Sequence, residues 1–269
     1  MSLESPPNPA ENLEITDSAK KDIEDFVEFI KTSDISELPN YVPLLSDYIY
    51  QKFCINAEED ADSLSKKTVK KYINSMKSVE DVLSNIDGVK LSENYTDWLG
   101  YEINGSYDKD GSLGRVYINS MIGHTPEIFK SLTESLQKID LHCEIKTSRG
   151  DENDLSRVEK IVIYFNGEES GELHNVLKTV YNSNSDKFNN KIPRFSRQLG
   201  PGIGFGQEPV MPNESFSSIR ANILAKVYYK YKKSNFDESF DFVREFQDAC
   251  SSFQVDGKDP SRNKNFLEN

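Results

Sequence analysis

The sequence predicts an α+β fold: a helical layer packed on a small, mostly antiparallel sheet in a single domain. Three observations carry that expectation. Apolar residues recur at three- and four-residue spacing through the first third of the chain. From Trp98 onward, short apolar runs with strand alternation are interleaved with helical stripes. The third is the supply of 15 Phe and 13 Tyr among 269 residues, enough large side chains to fill a core of that length.

Residues 1–16 are rich in Pro and Asn and have no period, which reads as a disordered tail. A single domain is expected over residues 17–251, with a helical part at 17–95 and an α/β part at 96–251. Thr16-Asp17-Ser18 are capping types ahead of Ile23, Phe26, Val27, Phe29 and Ile30, the stripe of an amphipathic helix. Runs at Val42 to Phe53, Val69 to Met76 and Val79 to Ile86 continue in helical style. Trp98, Tyr101, Ile103 and Tyr107 lead to the turn signal Lys109-Asp110-Gly111-Ser112 and then to Arg115 through Asn119, which predicts a hairpin. Pro126 suits a helix first turn ahead of Ile128, Phe129, Leu132, Leu136 and Ile139, and a strand is expected over Leu141 to Thr147. Ile161 to Phe165 reads as a buried strand, followed by a helix from about Glu169 to Tyr181. Lys191 to Asn213 is Gly- and Pro-rich without period, a long connection expected to be a mobile wall that closes over substrate, with Arg194 and Arg197 as substrate-binding charges. Helices are expected over Glu214 to Lys232 and Phe236 to Cys250, and residues 252–269 form an extended C-terminal tail.

Charge and composition exclude several functions. With 45 acidic against 32 basic residues the net charge is -13, the wrong sign for broad neutralisation of phosphates, so neither nucleic acid nor a membrane is an expected partner. No apolar run approaches the length of a membrane span and the start carries no secretory pattern, so a cytoplasmic protein is expected. Cys54, Cys143 and Cys250 form no CxxC pair and read as buried thiols; His124, His142 and His174 show no ligand spacing, so no metal is expected. The run Gly200-Pro201-Gly202-Ile203-Gly204 lacks the flanking strand, helix and Gly-Lys ending of a phosphate loop and reads as turn-making glycine.

The basic residues that remain fall at the ends of elements: Arg115 on a strand, Lys146 closing the next, Arg157 ahead of a third, and Arg220 in a late helix. Long cations at strand ends can converge on one crevice, where guanidinium forks match a phosphate and a lysine amine pressed by like charge becomes a base. The same spacing is equally that of ordinary surface cations pairing with the abundant Asp and Glu.

A resemblance bears on that choice. Gly114-Arg-Val-Tyr-Ile-Asn119, Cys143-Glu-Ile-Lys146, Ser156-Arg157 before Ile163-Tyr164, and then Leu199-Gly-Pro-Gly-Ile-Gly204, Glu208-Pro209, Glu214-Ser-Phe216 and Arg220 resemble, in order and spacing, the HopA-type type III effector family. The resemblance covers roughly residues 40 to 255. It implies a phosphoserine or phosphothreonine lyase of the kind found in class V lanthipeptide pathways, acting on a phosphorylated precursor peptide beside a separate peptide kinase and needing no cofactor. A more distant similarity to phosphothreonine lyase effectors implies roles: Lys146 as base, Arg115, Arg157 and Arg220 as phosphate ligands, Tyr164 as a substrate-contacting tyrosine, and Tyr117 where those lyases place a general acid. The alternative is a non-catalytic effector or accessory domain that binds a protein partner.

Overall fold

The computed structural model describes residues 14–33, 38, 41–56, 64–93, 95–106, 113–167, 171–211 and 214–264, and within them the α+β expectation holds. The helices are α1 (Asp17–Thr32), α2 (Val42–Ile49, continued by a π-helical turn at Tyr50–Cys54), α3 (Lys66–Leu83), α4 (Thr125–Leu136), α5 (Glu152–Leu155), α6 (Gly171–Asn184), α7 (Phe216–Lys233) and α8 (Phe242–Ser251). The strands are β1 (Val89–Leu91), β2 (Trp98–Ile103), β3 (Leu113–Ile118), β4 (Cys143–Ser148), β5 (Ile161–Asn166), β6 (Arg197–Gly200) and β7 (Ile203–Gln207). They divide between two compact units: a sheet unit within residues 57–192 and 198–205, and a helical unit within residues 5–56, 193–197 and 206–269.

The strand order is β1-β2-β4-β5-β3-β7-β6, and the pairs β1/β2, β2/β4, β4/β5 and β3/β5 are antiparallel. Alternation along each strand then sorts side chains onto two faces. Leu99, Tyr101, Ile103, Val116, Ile118, Cys143, Ile145, Ile161, Ile163 and Phe165 form one face, packed with Val69, Tyr72 and Met76 of α3, Phe129 and Leu132 of α4, and Leu173 and Leu177 of α6. Each such side chain contributes roughly 1.5 to 3 kcal/mol by leaving water, which makes this face the core of the unit. The other face is polar. Arg115 stands opposite Tyr164 and Tyr117 opposite Val162; Tyr164 stands opposite Glu144 and Val162 opposite Lys146; Lys146 stands opposite Gly100 and Ser148 opposite Trp98.

In the helical unit, Ile23, Phe26 and Ile30 of α1, Leu45 and Ile49 of α2, Ile219, Ile223 and Leu224 of α7, and Phe246 of α8 form a second core. Thr16 caps α1 through an N–H bond from Ala19 at 3.4 Å, and Ser215 and Ser218 cap α7 reciprocally at 3.1 and 2.8 Å.

Four expectations are corrected. The runs at Val69 and Val79 are one helix, α3, because their apolar positions stay in phase on one face. β2 and β3 form no hairpin with each other: β4 and β5 lie between them, each buried at five of six positions as central strands covered on both faces are. The turn signal between β2 and β3 lies outside the described residues. The connection after Lys191 holds two strands, β6 and β7, turned at Gly202, whose φ of +69° and close approach to the Asn189 carbonyl leave no room for a Cβ. Residues 252–264 are not an extended tail but a folded segment: Val255 bridges Asn263, the Gln207 N–H bonds the Ser261 carbonyl at 2.8 Å, and Val255 and Ser261 are buried. Its backbone groups are satisfied within the helical unit, so the segment orders despite its polar sequence.

Candidate active site

The polar face of the sheet unit gathers four of the residues singled out from sequence. Lys146 projects from β4 into a box of aromatic rings, its Nζ 4.7 Å from the centre of Tyr95, 4.8 Å from Trp98 and 5.1 Å from Tyr164. Two of those rings carry a second cation: the Arg115 guanidinium lies 4.8 Å over Tyr164 and the Arg157 guanidinium 5.5 Å over Trp98. Arg115, Lys146 and Arg157 are thus strung along shared rings, each charge attracted to a π-face. Local chemistry makes the box possible. Gly100 is the register partner of Lys146, and a Cβ there would overlap the Tyr95 ring.

Arg157 is gripped from both sides, by Asp154 at 3.2 Å and Glu159 at 2.7 Å, which fixes the fork in place. For Arg115, burial opposes the charge, but the Tyr164 and Tyr117 phenols and the Glu159 carboxylate outweigh it and hold the pKa above the ordinary arginine value. It is a permanent cation. Tyr117 is 1% exposed and shares the face with Arg115, as strand alternation requires. No hydrogen bond or ion pair holds the Lys146 amine among the described residues. The arrangement offers an amine enclosed by aromatic rings beside two arginines, a geometry suited to holding an anion next to a basic nitrogen.

Three sequence-predicted residues belong to the helical unit instead. Arg220 is fully buried in α7, its Nε donating to the Pro260 carbonyl at 3.0 Å, its Nη2 to the same oxygen, and its guanidinium lying 3.8 Å over Phe216. Arg194 donates to Asp22 at 2.9 Å and Asp25 at 2.6 Å and lies 4.9 Å over Phe53. Both thus have anchoring partners inside that unit. Arg197 opens β6 and is half-buried.

Sequence reasoning missed Tyr95, Trp98, Glu144, Asn119 and Lys160. Trp98 and Gly100 share the parity of Lys146 across β2 and β4, a signal readable only once that pairing is known. Glu144 is fully buried on the polar face with both carboxylate oxygens lacking a hydrogen bond among the described residues. Lys160 immediately precedes the apolar run of β5 and is 1% exposed. Among the described residues no group of three His, Cys, Asp or Glu is placed to hold a metal ion, and no helix is long and apolar enough to cross a membrane.

Comparison with known proteins matches residues 100–262 to the family model of the HopA1 effector protein family. Among solved structures, the effector protein from Pseudomonas syringae pv. tomato strain DC3000 has a TM-score of 0.62 at 10% identity over 92% of this chain and 98% of its own. The effector protein from Pseudomonas syringae pv. syringae strain 61 has a TM-score of 0.62 at 9% identity, with the same coverage of 92% and 98%. At that identity the likeness is one of fold. The phosphothreonine lyase SpvC, the effector protein from Salmonella, has a TM-score of 0.33 at 9% identity over 51% of this chain and 89% of its own, too slight a likeness to bear on chemistry. No curated protein matches the chain.

Proposed function

The chain belongs to the HopA1 effector protein family, and on that premise we propose that its sheet unit is a phosphopeptide lyase, removing phosphate from phosphoserine or phosphothreonine by β-elimination. The observation that carries the reading is the box around Lys146, where Tyr95, Trp98 and Tyr164 place the amine between Arg115 and Arg157. In the reaction the Lys146 amine takes the Cα proton, the Cα electron pair forms the Cα–Cβ double bond, and the Cβ–O bond breaks with its electrons leaving on phosphate. The product is dehydroalanine or dehydrobutyrine. Arg115 and Arg157 supply charge to the phosphate oxygens as it departs, and the rings exclude water and donate no hydrogen bond to the amine's lone pair. No step needs a cofactor. Tyr117, beside Arg115, orients the phosphate. Arg220 and Arg194 stay outside this set because their guanidiniums are anchored within the helical unit, and Arg197 is left without a role.

The substrate class that fits is a phosphorylated precursor peptide in lanthipeptide-type modification, which requires a separate kinase to install the phosphate. The test is incubation of the purified protein with a phosphoserine or phosphothreonine peptide and mass spectrometry for loss of phosphoric acid. Elimination by the wild type and none by Lys146→Ala supports the reading. A peptide returned unchanged or merely dephosphorylated sinks it and favours a non-catalytic domain that binds a protein partner.

A further inference from the structure

The polar face contains a cation that the proposed reaction does not use. Lys160, between Arg157 and β5, is 1% exposed, and its Nζ donates to Asn119 Oδ1 at 2.8 Å and to the Arg157 carbonyl at 3.1 Å. Burying an ammonium is costly unless good acceptors surround it, and an apolar side chain of equal length would fill the space at lower cost. The Asn119 and Arg157 acceptors both sit on segments that build the site. Asn119 ends the strand face that begins with Arg115 and Tyr117, and Arg157 carries the guanidinium that lies over Trp98. Asn119 is itself a junction: its Oδ1 also accepts from Asn189 at 3.1 Å, its Nδ2 donates to the Lys191 carbonyl at 3.0 Å, and its N–H donates to the Gly202 carbonyl at 2.8 Å. The Lys160 carbonyl in turn accepts from Thr147 Oγ1 at 2.8 Å, one residue beyond Lys146.

We propose that Lys160 is a positioning residue for the phosphate site: its ammonium ties the Arg157 backbone to Asn119 at the end of β3 and so sets the Arg157 fork at the distance from Lys146 that phosphate requires. Asp154 and Glu159 aim the guanidinium, and Lys160 fixes the backbone from which it is aimed. The inference rests on the lyase reading of the same face. Its signature is weaker phosphopeptide binding together with a smaller loss in kcat, because Arg157 both holds the phosphate and supports its departure while the base Lys146 is held by rings on β2, β5 and the segment before β2.

The experiment measures kcat and KM for phosphopeptide elimination in the wild type, Lys160→Met and Lys160→Arg, with folding followed by circular dichroism. In parallel it measures the Kd of the same peptide in Lys146→Ala and in Lys146→Ala/Lys160→Met, where the peptide is not consumed. Lys160→Met is expected to raise KM and Kd about tenfold and to lower kcat by a smaller factor, a scale typical of a small misplacement of a binding group, and Lys160→Arg to recover part of both losses. Unchanged KM and Kd in folded Lys160→Met overturns the inference while leaving the lyase reading intact. If Lys160→Met does not fold, Asn119→Ala, which removes the Oδ1 acceptor of the ammonium, takes its place: a severalfold rise in KM supports the role and an unchanged KM refutes it. A wild type that neither eliminates nor binds the peptide is the failure of the lyase reading, and this inference falls with it.

Discussion

At the scale of single residues, the proposed chemistry depends on which groups touch the reacting atoms. Lys146→Arg keeps a cation among the three rings but has no accessible neutral form, so elimination is expected to stay as low as in Lys146→Ala, read as dehydrated product per hour. Tyr117 is the harder case, since strand alternation puts it on the same face as Arg115, within the proposed phosphate site. If it protonates the leaving phosphate, Tyr117→Phe should cost on the order of 10² to 10⁴ in kcat. The expected loss is smaller, less than about tenfold, because a phosphate neutralised by arginines leaves without a strong acid. A thousandfold loss with unchanged peptide affinity would make Tyr117 the acid.

At the scale of elements, Arg194 shows how a cation that looks functional in sequence becomes structural. It joins α1 to the segment ahead of β6 through Asp22 and Asp25, and Asp22 also accepts the Phe195 N–H at 2.6 Å. The two carboxyls respond oppositely. Burial raises the Asp22 pKa above its ordinary 3.8 even though the Arg194 charge works against it. Asp25 also feels burial pushing upward, but hydrogen bonds from Lys21 and Arg194 outweigh it and hold the pKa below 3.8. Asp22 thus adds stability below pH 3.8 that is lost as pH rises through its raised value, whereas Asp25 adds stability above 3.8 that is lost as pH falls through its lowered value. Arg194→Ala removes the group that lowers both. Its stability deficit, about 1 to 3 kcal/mol at pH 7 for a half-buried pair with some solvent screening, should shrink as pH falls toward 4. Denaturant melts across that range check it, with KM for phosphopeptide expected to be unchanged; a raised KM in a fully stable variant would return Arg194 to the substrate.

At the scale of the whole molecule, a chain of net charge -13 has to collect its few useful cations and still fold. It does so with two hydrophobic cores, one per unit, each containing a cysteine that reports on it. Burial pushes the Cys143 thiol of the sheet unit up to about 12, and does the same for Cys250 of the helical unit although the Arg220 charge opposes it there. A thiol held that high is almost never thiolate near neutrality. Iodoacetamide at pH 8 should therefore leave both cysteines unmodified in the native protein and label both in denaturant, read by peptide mass spectrometry. Native labelling of Cys143 alone would mean that the sheet core opens on the timescale of the reaction.

Periodicity by itself determined the class of fold, the helices that carry α1, α4 and α6, the central apolar strands β4 and β5, and the fact that Arg115 and Tyr117 share a side, because spacing along a strand or helix is a local property that fixes which residues face together. It also placed Arg157 ahead of β5, but it set Lys146 at the end of its strand, whereas β4 runs on to Ser148 and Lys146 lies inside it. Only the tertiary structure decided which strand lies beside which: the turn signal after β2 suggested a hairpin, whereas β2 pairs with β4 and thereby brings Trp98 and Gly100 to Lys146. Only the tertiary structure buried Lys160, and only it gave Arg194 and Arg220 their carboxylate and carbonyl partners. A side chain's partner across the sheet or in a folded terminal segment is set by contacts distant in sequence, and neither charge nor spacing along the chain encodes that distance.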